Sequence, residues 1–540
     1  MNRDEFVCAA RAALEGRAGA DRRRIAIPVT VRLLSDQLTP VLAYRRLVAP
    51  DERSAVSFLL ESVEGGARQG RHSILGARPV VEFVARGRAV RIGNHRTGEV
   101  RAFVSDDPLA DLQRETAGVE LVRPAGVALP GAMIGGWAGY ASYDSVRYAE
   151  PAKLPFAGAP ADDRGLPDLH FGFYDRVAVF DHAEKIVHVI ALGIVERGDD
   201  AGAEFDRAGR DLREWARALQ APSKPLASGV VTDATAGVEL SSNLSRAEHA
   251  RMVERAKEYI RAGDIFQVVL GQRFERRSGA DPFDVYRALR AVNPSPYMVY
   301  MQAQGCILIA SSPEILCRVR RSADGGRLVV TNRPLAGTRR RGGTPEADAA
   351  LEAELRADEK ERAEHIMLVD LGRNDVGRIA EPGSVRLDAA LDVERYSHVM
   401  HLSSTVTGTL RAGLDAWDAL RATLPVGTVS GAPKIRAMQI IDELEPARRG
   451  PYGGGIGYAG VAGEMDVALA LRTIVVPTAL YDGCSWTYHL QAAGGIVADS
   501  DPEAEFRETV NKAAALARAI ELAETAFGGA GGFPPAGDDA

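Results

Sequence analysis

The sequence predicts an α+β fold, with an antiparallel β region in the first part of the chain and mixed strands and helices in the second. Short β-branched or alternating runs separated by Gly and Pro turns fill residues 25–195, as is typical of antiparallel strands. From residue 241 to 526, strand-like runs alternate with helical segments. A Gly-Gly-x-x-Gly-Tyr motif stands in a β context at 135–140 and again at 453–458. The repeat indicates either two related β subdomains or a coincidence in a glycine-rich chain.

The domain organisation follows from changes of composition along the chain. Residues 1–24 are predicted to form a helix and a basic connector, and residues 25–220 a β-rich region that ends in a helix. A stretch rich in Pro, Ser, Ala, Gly and Thr at 221–240 is typical of a linker. Residues 241–526 are predicted to form the second domain, and residues 527–540 a flexible tail.

Two helices of the second domain have clear start signals. Ser245 and Glu248 form a capping-box pattern for a helix that is predicted to run to Gly263. Asp501 is placed as the cap of a long helix with Pro502 at its first position.

Composition and charge are those of an ordinary globular protein. The chain has 540 residues, 46% of them hydrophobic, and a net charge of -7, so about two to four domains with ample cores are expected. The basic runs RDLREWARALQ and TRRRG are too short for a nucleic-acid interface. The four cysteines show no CxxC spacing, which favours a reducing compartment.

No targeting or membrane segment is predicted. The first residues include the acids Asp4 and Glu5 and lack a long apolar run, unlike a secretory signal. The uncharged segment 126–143 is interrupted by five glycines and a proline, which favours strand and turn over a membrane helix. A cytoplasmic location without membrane contact is therefore predicted.

Two glutamate pairs are the strongest chemical signal. Glu361 and Glu364, and likewise Glu505 and Glu508, are three residues apart in helical segments, so each pair lies on one face. Two charges about 4 Å apart repel by about 4 kcal/mol at an effective dielectric constant of about 20. If the pairs converge, they need protons or a hard cation, and oxygen ligands favour Mg²⁺. The alternative is two solvated faces balanced by neighbouring Lys and Arg residues.

Two weaker patterns do not predict binding sites. His398 and His401 are three apart before a β-branched run, and in a strand such residues point to opposite faces, which argues against a shared metal. GTVSGAPK resembles a phosphate loop, but Ala432-Pro433 stands where Lys and Ser or Thr are required, so nucleotide binding is not predicted.

Ten sequence blocks, in order, identify a resemblance to a known family. The blocks are LLES (59–62), NPSPYM (293–298), SSPE (311–314), RPLAGT (333–338), EHIMLVDLGRND (364–375), YSHVMH (396–401), PVGTVSGAPK (425–434), YGGGIGY (452–458), ALALRT (468–473) and ETVNKA (508–513). In these blocks the chain resembles the chorismate-utilising enzymes, specifically anthranilate synthase component I. The resemblance extends from about residue 25 to 526.

The resemblance implies a fold, an activity and partners. The fold would be two interleaved β-rich subdomains forming a sandwich with helices packed around it. The activity would be a lyase reaction in tryptophan biosynthesis, in which chorismate and ammonia give anthranilate and pyruvate through aminodeoxyisochorismate. Mg²⁺ would be the cofactor. No cysteine stands in a G-x-C-x-G elbow, so a separate glutamine amidotransferase subunit would supply the ammonia.

The resemblance also assigns catalytic residues. Glu314 in SSPE would be the general acid for loss of the 4-hydroxyl, which requires a raised pKa; its alternative role is to cap backbone amides at a strand end. His401 would be the base for pyruvate loss. Gln267 would orient ammonia, and Thr428 would belong to the catalytic group. The metal would lie chiefly on Glu364 and Glu508, with Glu361 and Glu505 behind them.

The expected substrate-binding residues are Gly337, Thr338, Tyr452, Arg472, Ala493, Gly494, Gly495 and Lys512. Arg472, in a strand-like stretch, offers a fork for a carboxylate, or it forms a surface ion pair. Tyr452 is a polar partner or a packing residue. The family usually has Gly at 493, so Ala493 is tolerated only if that position does not need a positive φ. Asn332 is a second, minor departure.

Two positions distinguish this chain from sister enzymes. Aminodeoxychorismate synthases have a nucleophilic lysine where this chain has Ala336, and isochorismate synthases have a lysine base at the position that matches Gln267. Neither residue here can do that chemistry. The alternatives are one of these two sister enzymes, or a non-catalytic relative that senses tryptophan or chorismate.

The resemblance further implies feedback inhibition by tryptophan. The regulatory site would include Ser62 of LLES and Pro296, Tyr297 and Met298 of NPSPYM. Without the resemblance, Ser62 is an ordinary serine at a strand end.

Overall fold

The computed structural model describes residues 1–15, 24–62, 70–124, 126–222, 226–231, 240–322, 325–396 and 399–527. Most of the predicted linker at 221–240, the predicted tail from 528 onward and His398 lie outside these residues. The predicted linker and its domain boundaries therefore stay predictions. Within the described ranges, no helix combines the length and apolarity that a membrane span requires.

The first half of the chain is rich in strands. Its strands are β1 (Arg24–Leu34), β2 (Ser57–Glu61), β3 (His72–Ala77), β4 (Val81–Arg86), β5 (Ala89–Asn94), β6 (Val100–Val104), β7 (Val119–Leu121), β8 (Gly136–Ala141), β9 (Leu169–Tyr174), β10 (Arg176–Asp181) and β11 (Ile186–Glu196). Its helices are α1 (Arg3–Glu15), α2 (Pro40–Leu47), α3 (Pro108–Thr116), α4 (Val146–Ala149) and α5 (Ala201–Gln220).

The second half mixes strands and helices, as the sequence predicts. Its strands are β12 (Ser241–Ser242), β13 (Gln267–Ser278), β14 (Tyr297–Ala303), β15 (Cys306–Ser312), β16 (Ile315–Arg321), β17 (Leu328–Arg333), β18 (Leu335–Arg340), β19 (Arg386–Arg395), β20 (Val399–Thr409), β21 (Gly431–Ala432), β22 (Gly455–Gly460), β23 (Met465–Leu469), β24 (Thr473–Pro477) and β25 (Trp486–Ile496). Its helices are α6 (Arg246–Arg261), α7 (Pro282–Val292), α8 (Pro345–Ala357), α9 (Glu359–Gly377), α10 (Ala416–Thr423), α11 (Lys434–Leu444) and α12 (Pro502–Phe527).

The predicted helix starts are confirmed, whereas two helix ends differ. The capping box of Ser245 and Glu248 opens α6, which ends at Arg261 rather than Gly263. The Asp501 carboxylate accepts the Ala504 N–H at 2.9 Å at the start of α12. This helix continues through Phe527, one residue into the predicted tail.

Within the described residues the strands form two large sheets, and both halves of the chain contribute to each. The first sheet has the order β12-β13-β25-β24-β15-β14-β2-β3-β10-β11-β1-β7, and β21 pairs with β13. The second has the order β18-β20-β17-β16-β23-β22-β8-β9-β4-β5-β6, and β19 pairs with β20. The halves meet in the antiparallel pairs β2·β14 and β8·β22. The prediction of two interleaved β-rich subdomains is confirmed.

The two largest apolar clusters among the described residues lie on opposite faces of the first sheet. On β14, Val299 and Met301 belong to the apolar cluster between the sheets, together with Phe83 of the second sheet. The alternate residues Met298 and Tyr300 pack on the other face against the helices. This period of two is the alternation that a strand imposes on its side chains. The structure is therefore a β-sandwich with helices packed around it.

The repeated glycine motif has a structural reason. Gly139 of β8 lies directly opposite Gly457 of β22 at the join between the halves. A Cβ atom on Gly139 would lie 2.0 Å from the His170 carbonyl oxygen, and one on Gly457 would lie 2.1 Å from the Asp466 carbonyl oxygen. Since backbone atoms cannot move aside cheaply, both strands need glycine at this crossing.

Gly457→Ala should lower the free energy of unfolding by about 3 kcal/mol, because the new methyl group overlaps a fixed carbonyl oxygen. Gly131→Ala is the matched control, since a Cβ atom there meets nothing within 4 Å. Denaturant titrations of both variants and the wild type would measure the difference. Equal midpoints for the two variants would contradict the packing argument.

Candidate active site

Strand β18 is the element on which the candidate site is built. It pairs with β20, but the register shifts between Ala336 and Thr338, so Gly337 forms a bulge with φ +71°. A Cβ atom on Gly337 would lie 3.3 Å from Glu361 Oε2. The position therefore requires glycine for its backbone conformation, and it lies against the helix that carries the first glutamate pair.

The bulge fixes the tautomer of His401. Its Nδ1 lies 3.1 Å from the Gly337 carbonyl oxygen and 3.0 Å from Thr338 Oγ1. Because a carbonyl oxygen can only accept, Nδ1 carries the hydrogen. Nε2 then has a free lone pair, and it is buried without a hydrogen-bond partner among the described residues. Burial, with the positive charges of Arg472 and Lys512, lowers the pKa of His401 to about 4, so the ring is neutral at pH 7.

Glu314 is bonded by the first residue of the same strand, Leu335. It lies between β15 and β16 and is buried. Thr428 Oγ1 donates a hydrogen bond to Glu314 Oε1 at 2.7 Å, and the Leu335 backbone also bonds this carboxyl group. Burial raises the pKa of Glu314 to about 8 despite these two bonds, as a general acid requires.

Carboxylates from two helices converge on the Gly494-Gly495 dipeptide of β25. A Cβ atom on Gly494 would lie 2.9 Å from Glu505 Oε2 and 3.9 Å from Glu508 Oε1, both on α12. A Cβ atom on Gly495 would lie 3.6 Å from Glu364 Oε1 on α9. Three of the four glutamates of the two pairs therefore lie beside this dipeptide.

Protein side chains bond all four carboxylates, Glu505 through Ser500. Gln267 Nε2 donates to Glu364 at 2.8 Å, and Lys512 lies 2.7 Å from Glu508. Arg339 Nη1 donates to Glu361 at 3.1 Å. Among the Lys and Arg residues that could balance solvated pairs, Lys512 pairs with Glu508, whereas Lys360 pairs with Asp499 and Arg507 with Glu503.

Glu505 carries an unsatisfied oxygen. Its Oε2 is buried without a hydrogen-bond partner among the described residues. Burial raises the pKa of Glu505, and the charge of Glu508 raises it further. Burial likewise raises the pKa of Glu361. A raised carboxyl pKa means that the negative charge is disfavoured in this environment, so a bound positive charge would be favourable.

These carboxylate oxygens fit a hard cation whose remaining ligands come from water and substrate. In the described part of the chain, no group of three His, Cys, Asp or Glu side chains could hold a metal by itself. Mg²⁺ usually binds one or two protein carboxylates and takes its other ligands from water and substrate. The carboxylate oxygens around Gly494-Gly495, one of them unsatisfied, fit that pattern.

The expected substrate-binding residues border this region. Tyr452 is buried and hydrogen-bonds the Ala493 backbone, while Lys512 Nζ donates to the Ala493 carbonyl oxygen at 2.8 Å. Ala493 lies inside the extended strand β25, so the position does not need a positive φ and alanine is tolerated.

The structure corrects the expected setting of Arg472. The residue does not lie in a strand; it occupies a bend just before β24 with φ +46°. Its carbonyl oxygen accepts the Ser311 N–H at 3.1 Å, which joins this bend to the SSPE segment. An arginine in the left-handed region is uncommon and costs backbone energy, so surrounding contacts must hold it there.

Sequence reasoning missed Arg339. This residue belongs to the TRRRG run, which is too short for a nucleic-acid interface. In the structure it follows Thr338 and binds Glu354, Asp358 and Glu361 at once. The contact could have been predicted only if β18 were known to pack against α9, the helix that carries Glu361. The local sequence pattern does not show this packing.

The four expected regulatory residues lie at the join between the halves. Met298 pairs with Glu61 across β14·β2, and Ser62 is the next residue after that pair. The Tyr297 hydroxyl donates to Asp466 at 2.8 Å, and Pro296 immediately precedes it. The structure thus brings the two distant segments together.

Comparison with known sequences identifies the family. A family model described as chorismate binding enzyme matches residues 63–518. The chain belongs to this chorismate-binding enzyme family. Its relatives include the rice (Oryza sativa subsp. indica) anthranilate synthase alpha subunit 1, chloroplastic, which is 51% identical over 530 residues, with 95% of this chain and 90% of the relative covered. Anthranilate synthase component 1 of Acetivibrio thermocellus is 43% identical, with 92% and 96% covered.

Solved structures agree with this assignment to the chorismate-binding enzymes. Anthranilate synthase component I from Streptococcus pneumoniae TIGR4 superposes with a TM-score of 0.69 at 36% identity, covering 90% of this chain and 99% of that one. The menaquinone-specific isochorismate synthase from Escherichia coli has a TM-score of 0.63 at 17% identity, covering 96% and 99%, which shows the shared fold alone. Within the family, the chain stands with anthranilate synthase component I.

Glu314→Gln should change how stability depends on pH. Glu314 has a folded-state pKa of about 8 against an ordinary value of 4.5, so its stabilising contribution is complete below pH 4.5 and is lost as pH rises toward 8. The stability of the wild type relative to Glu314→Gln should therefore fall by about 1.4 kcal/mol per pH unit in that window and level off above it. Denaturant titrations at several pH values would measure this. Parallel curves across the window would contradict the burial of an ionisable group.

Proposed function

We propose that this chain is the chorismate-converting subunit of an anthranilate synthase. It adds ammonia to chorismate and eliminates pyruvate to give anthranilate. One observation carries the proposal: strand β18 holds both a protonated acid, Glu314, and a neutral base, His401, beside the convergent glutamates. The high identity to anthranilate synthase component I over almost the whole chain supports it.

The first step needs an acid. Ammonia attacks ring carbon 2 of chorismate, the double bonds shift, and the 4-hydroxyl leaves as water with the proton of Glu314. Thr428 then stabilises the carboxylate that forms, because its hydroxyl already donates to Glu314 Oε1. An acid with a pKa of about 8 is protonated at neutral pH and still able to release its proton.

Gln267 fits the role of an ammonia-orienting group. Its Nε2 is occupied by Glu364, whereas its Oε1 is buried without a partner among the described residues. That oxygen can accept an N–H of ammonia, which lysine at this position could not do. The lysine of the aminodeoxychorismate synthases is replaced by Ala336, and the lysine of the isochorismate synthases is replaced by Gln267. The chain therefore lacks the lysine that each of these two reactions needs.

The second step needs a base. The proton on ring carbon 2 of aminodeoxyisochorismate is transferred to His401 Nε2, the ring becomes aromatic, and the enolpyruvyl group leaves as the enolate of pyruvate. The enolate then takes a proton on its methylene carbon to give pyruvate, which balances the proton that His401 accepts. The Gly337 carbonyl oxygen holds the Nδ1 hydrogen and directs Nε2 away from it. The low pKa of His401 keeps that lone pair free at pH 7.

The cofactor of the proposed reaction is Mg²⁺. Glu364 and Glu508 would hold it, with Glu361 and Glu505 behind them. When bound, the ion would offset the repulsion between these carboxylates and the ring carboxylate of the chorismate dianion.

Ammonia would come from a separate glutamine amidotransferase subunit, and tryptophan would inhibit from the site at Ser62, Pro296, Tyr297 and Met298. The names of the plant relatives, which are alpha subunits, support a partner subunit. The cytoplasmic location stays a prediction.

The purified chain should form anthranilate from chorismate with ammonium, and it should use glutamine only after an amidotransferase subunit is added. The reason is that no glutaminase nucleophile is predicted from the sequence. Anthranilate fluorescence under alkaline conditions with Mg²⁺ gives the readout. Glutamine-dependent activity from the single chain would disprove the two-subunit assignment, and isochorismate or aminodeoxychorismate as product would disprove the reaction.

Glu364→Gln and Glu508→Gln should each weaken Mg²⁺ binding by about 100-fold, because each removes one charged oxygen ligand. Calorimetric titration of Mg²⁺ in the presence of chorismate measures binding independently of turnover. Glu503→Gln is the matched control, since Glu503 lies on the same helix and pairs with Arg246 instead. Unchanged Mg²⁺ affinity in both test variants would place the ion elsewhere.

Ser62→Arg should abolish tryptophan binding, because a long charged side chain would fill the space beside the β2·β14 join. Inhibition requires that tryptophan favours one of two conformations, so chorismate should reciprocally weaken tryptophan binding in the wild type. Calorimetry and inhibition curves would be compared with those of Ser241→Arg, an exposed serine at the far edge of the same sheet. Normal tryptophan affinity in Ser62→Arg would move the regulatory site.

A further inference from the structure

Arg449 is a buried arginine whose hydrogen bonds to backbone carbonyl oxygens lie next to the catalytic segments. Its side chain is 1% exposed, and the Glu445 carboxylate accepts from its Nε at 2.9 Å and its Nη2 at 2.6 Å. Nη2 also donates to the Val269 carbonyl oxygen at 2.6 Å, and Nη1 donates to that of Val429. A buried charge with this many oriented bonds is fixed in one geometry.

Glu445 adds a third backbone contact. Its Oε1 accepts the Gly271 N–H at 2.8 Å, so the ion pair binds β13 at Val269 and at Gly271. The same pair binds the short helical turn Gly427–Val429 through Val429. A direct bond from the Val269 N–H to the Ser430 carbonyl oxygen, 3.0 Å long, closes the arrangement.

Each segment carries a catalytic side chain close to its contact with Arg449. Gln267, which donates to Glu364, stands two residues before Val269 on β13. Thr428, which donates to Glu314, is the residue immediately before Val429. A shift of either carbonyl oxygen would therefore move one of these two hydrogen bonds.

We propose that Arg449, held by Glu445, is a positioning residue that sets Thr428 against Glu314 and Gln267 against Glu364. The proposal deepens the proposed function and rests on it for the roles of Glu314 and Gln267. Arginine is required because only its planar fork reaches two carbonyl oxygens and a carboxylate at once. Lysine keeps the charge but cannot make this set of bonds.

A purely structural arginine offers the matched control. Arg207 in the first half of the chain is also largely buried, and it binds Glu204 at 2.6 Å, the Leu192 carbonyl oxygen at 2.7 Å and Asp175 at 3.1 Å. None of these groups belongs to the candidate active site. Arg207→Lys should lose the same kinds of bond without affecting Glu314.

The test follows the protonation of Glu314 directly. Infrared difference spectra across pH report the protonated carboxyl band, which is assigned by its loss in Glu314→Gln. The Thr428 hydroxyl favours the charged carboxylate, so losing that bond should raise the midpoint by about one pH unit. We expect this rise in Thr428→Val and in Arg449→Lys. The double variant Thr428→Val/Arg449→Lys should show no further rise, and Arg207→Lys should keep the wild-type midpoint. We also expect kcat to fall at least about tenfold in Arg449→Lys while KM for chorismate changes little.

Each outcome decides the proposal. A wild-type midpoint in folded Arg449→Lys, or an equal rise in Arg207→Lys, would overturn it. If Arg449→Lys does not fold, Arg449→Met/Glu445→Met removes both buried charges together and should show the same raised midpoint; an unchanged midpoint there would also overturn it. If the variants show the expected midpoints but the wild-type chain forms no anthranilate, the proposed function is refuted and the positioning role is supported.

Discussion

The bulge at Gly337 is the constraint on which the candidate site depends. Strand β18 bonds Glu314 through the Leu335 backbone before the bulge and His401 through the Gly337 carbonyl oxygen within it. Because side chains alternate along a strand, a regular β18 would turn every later residue to the opposite face. The extra residue keeps Thr338 opposite His401 and brings Gly337 against Glu361. Strand β18, with its single bulge, therefore contacts the acid, the base and Glu361.

Burial shifts the pKa values of the two proton-transfer groups in opposite directions, and in both cases it favours the neutral form. It raises the pKa of the Glu314 carboxyl and lowers that of the His401 imidazole, so both groups are neutral at pH 7. A dianionic substrate then meets neutral groups at the reacting bonds. The charged groups lie around them, as positive side chains at Arg472 and Lys512 and as glutamates beside Gly494-Gly495. This separation allows one site to do acid and base chemistry without internal ion pairing between the two catalytic groups.

Part of this arrangement could be predicted from local sequence, whereas the roles of Glu314 and His401 came from the family resemblance. The spacing of Glu505 and Glu508 on a capped helix is a property of the helix itself, and the predicted fold class followed from strand alternation. The bend at Arg472 and the contact between Arg339 and Glu361 could not be predicted, because they depend on which strands pair across long sequence separations. The alternation of β-branched residues says which face of a strand is buried and does not say which neighbour it meets.

The shared sheets also have a consequence for biosynthesis. Strands β2 and β8 each pair on one side with an early strand, β3 or β9, and on the other side with β14 or β22, which the ribosome produces much later. At ordinary translation rates the gap between β8 and β22 is on the order of half a minute. During that time the nascent first half presents two unpaired strand edges, each able to join the wrong partner. Until β14 and β22 have been synthesised, these two edges of the amino-terminal half are open to wrong pairing.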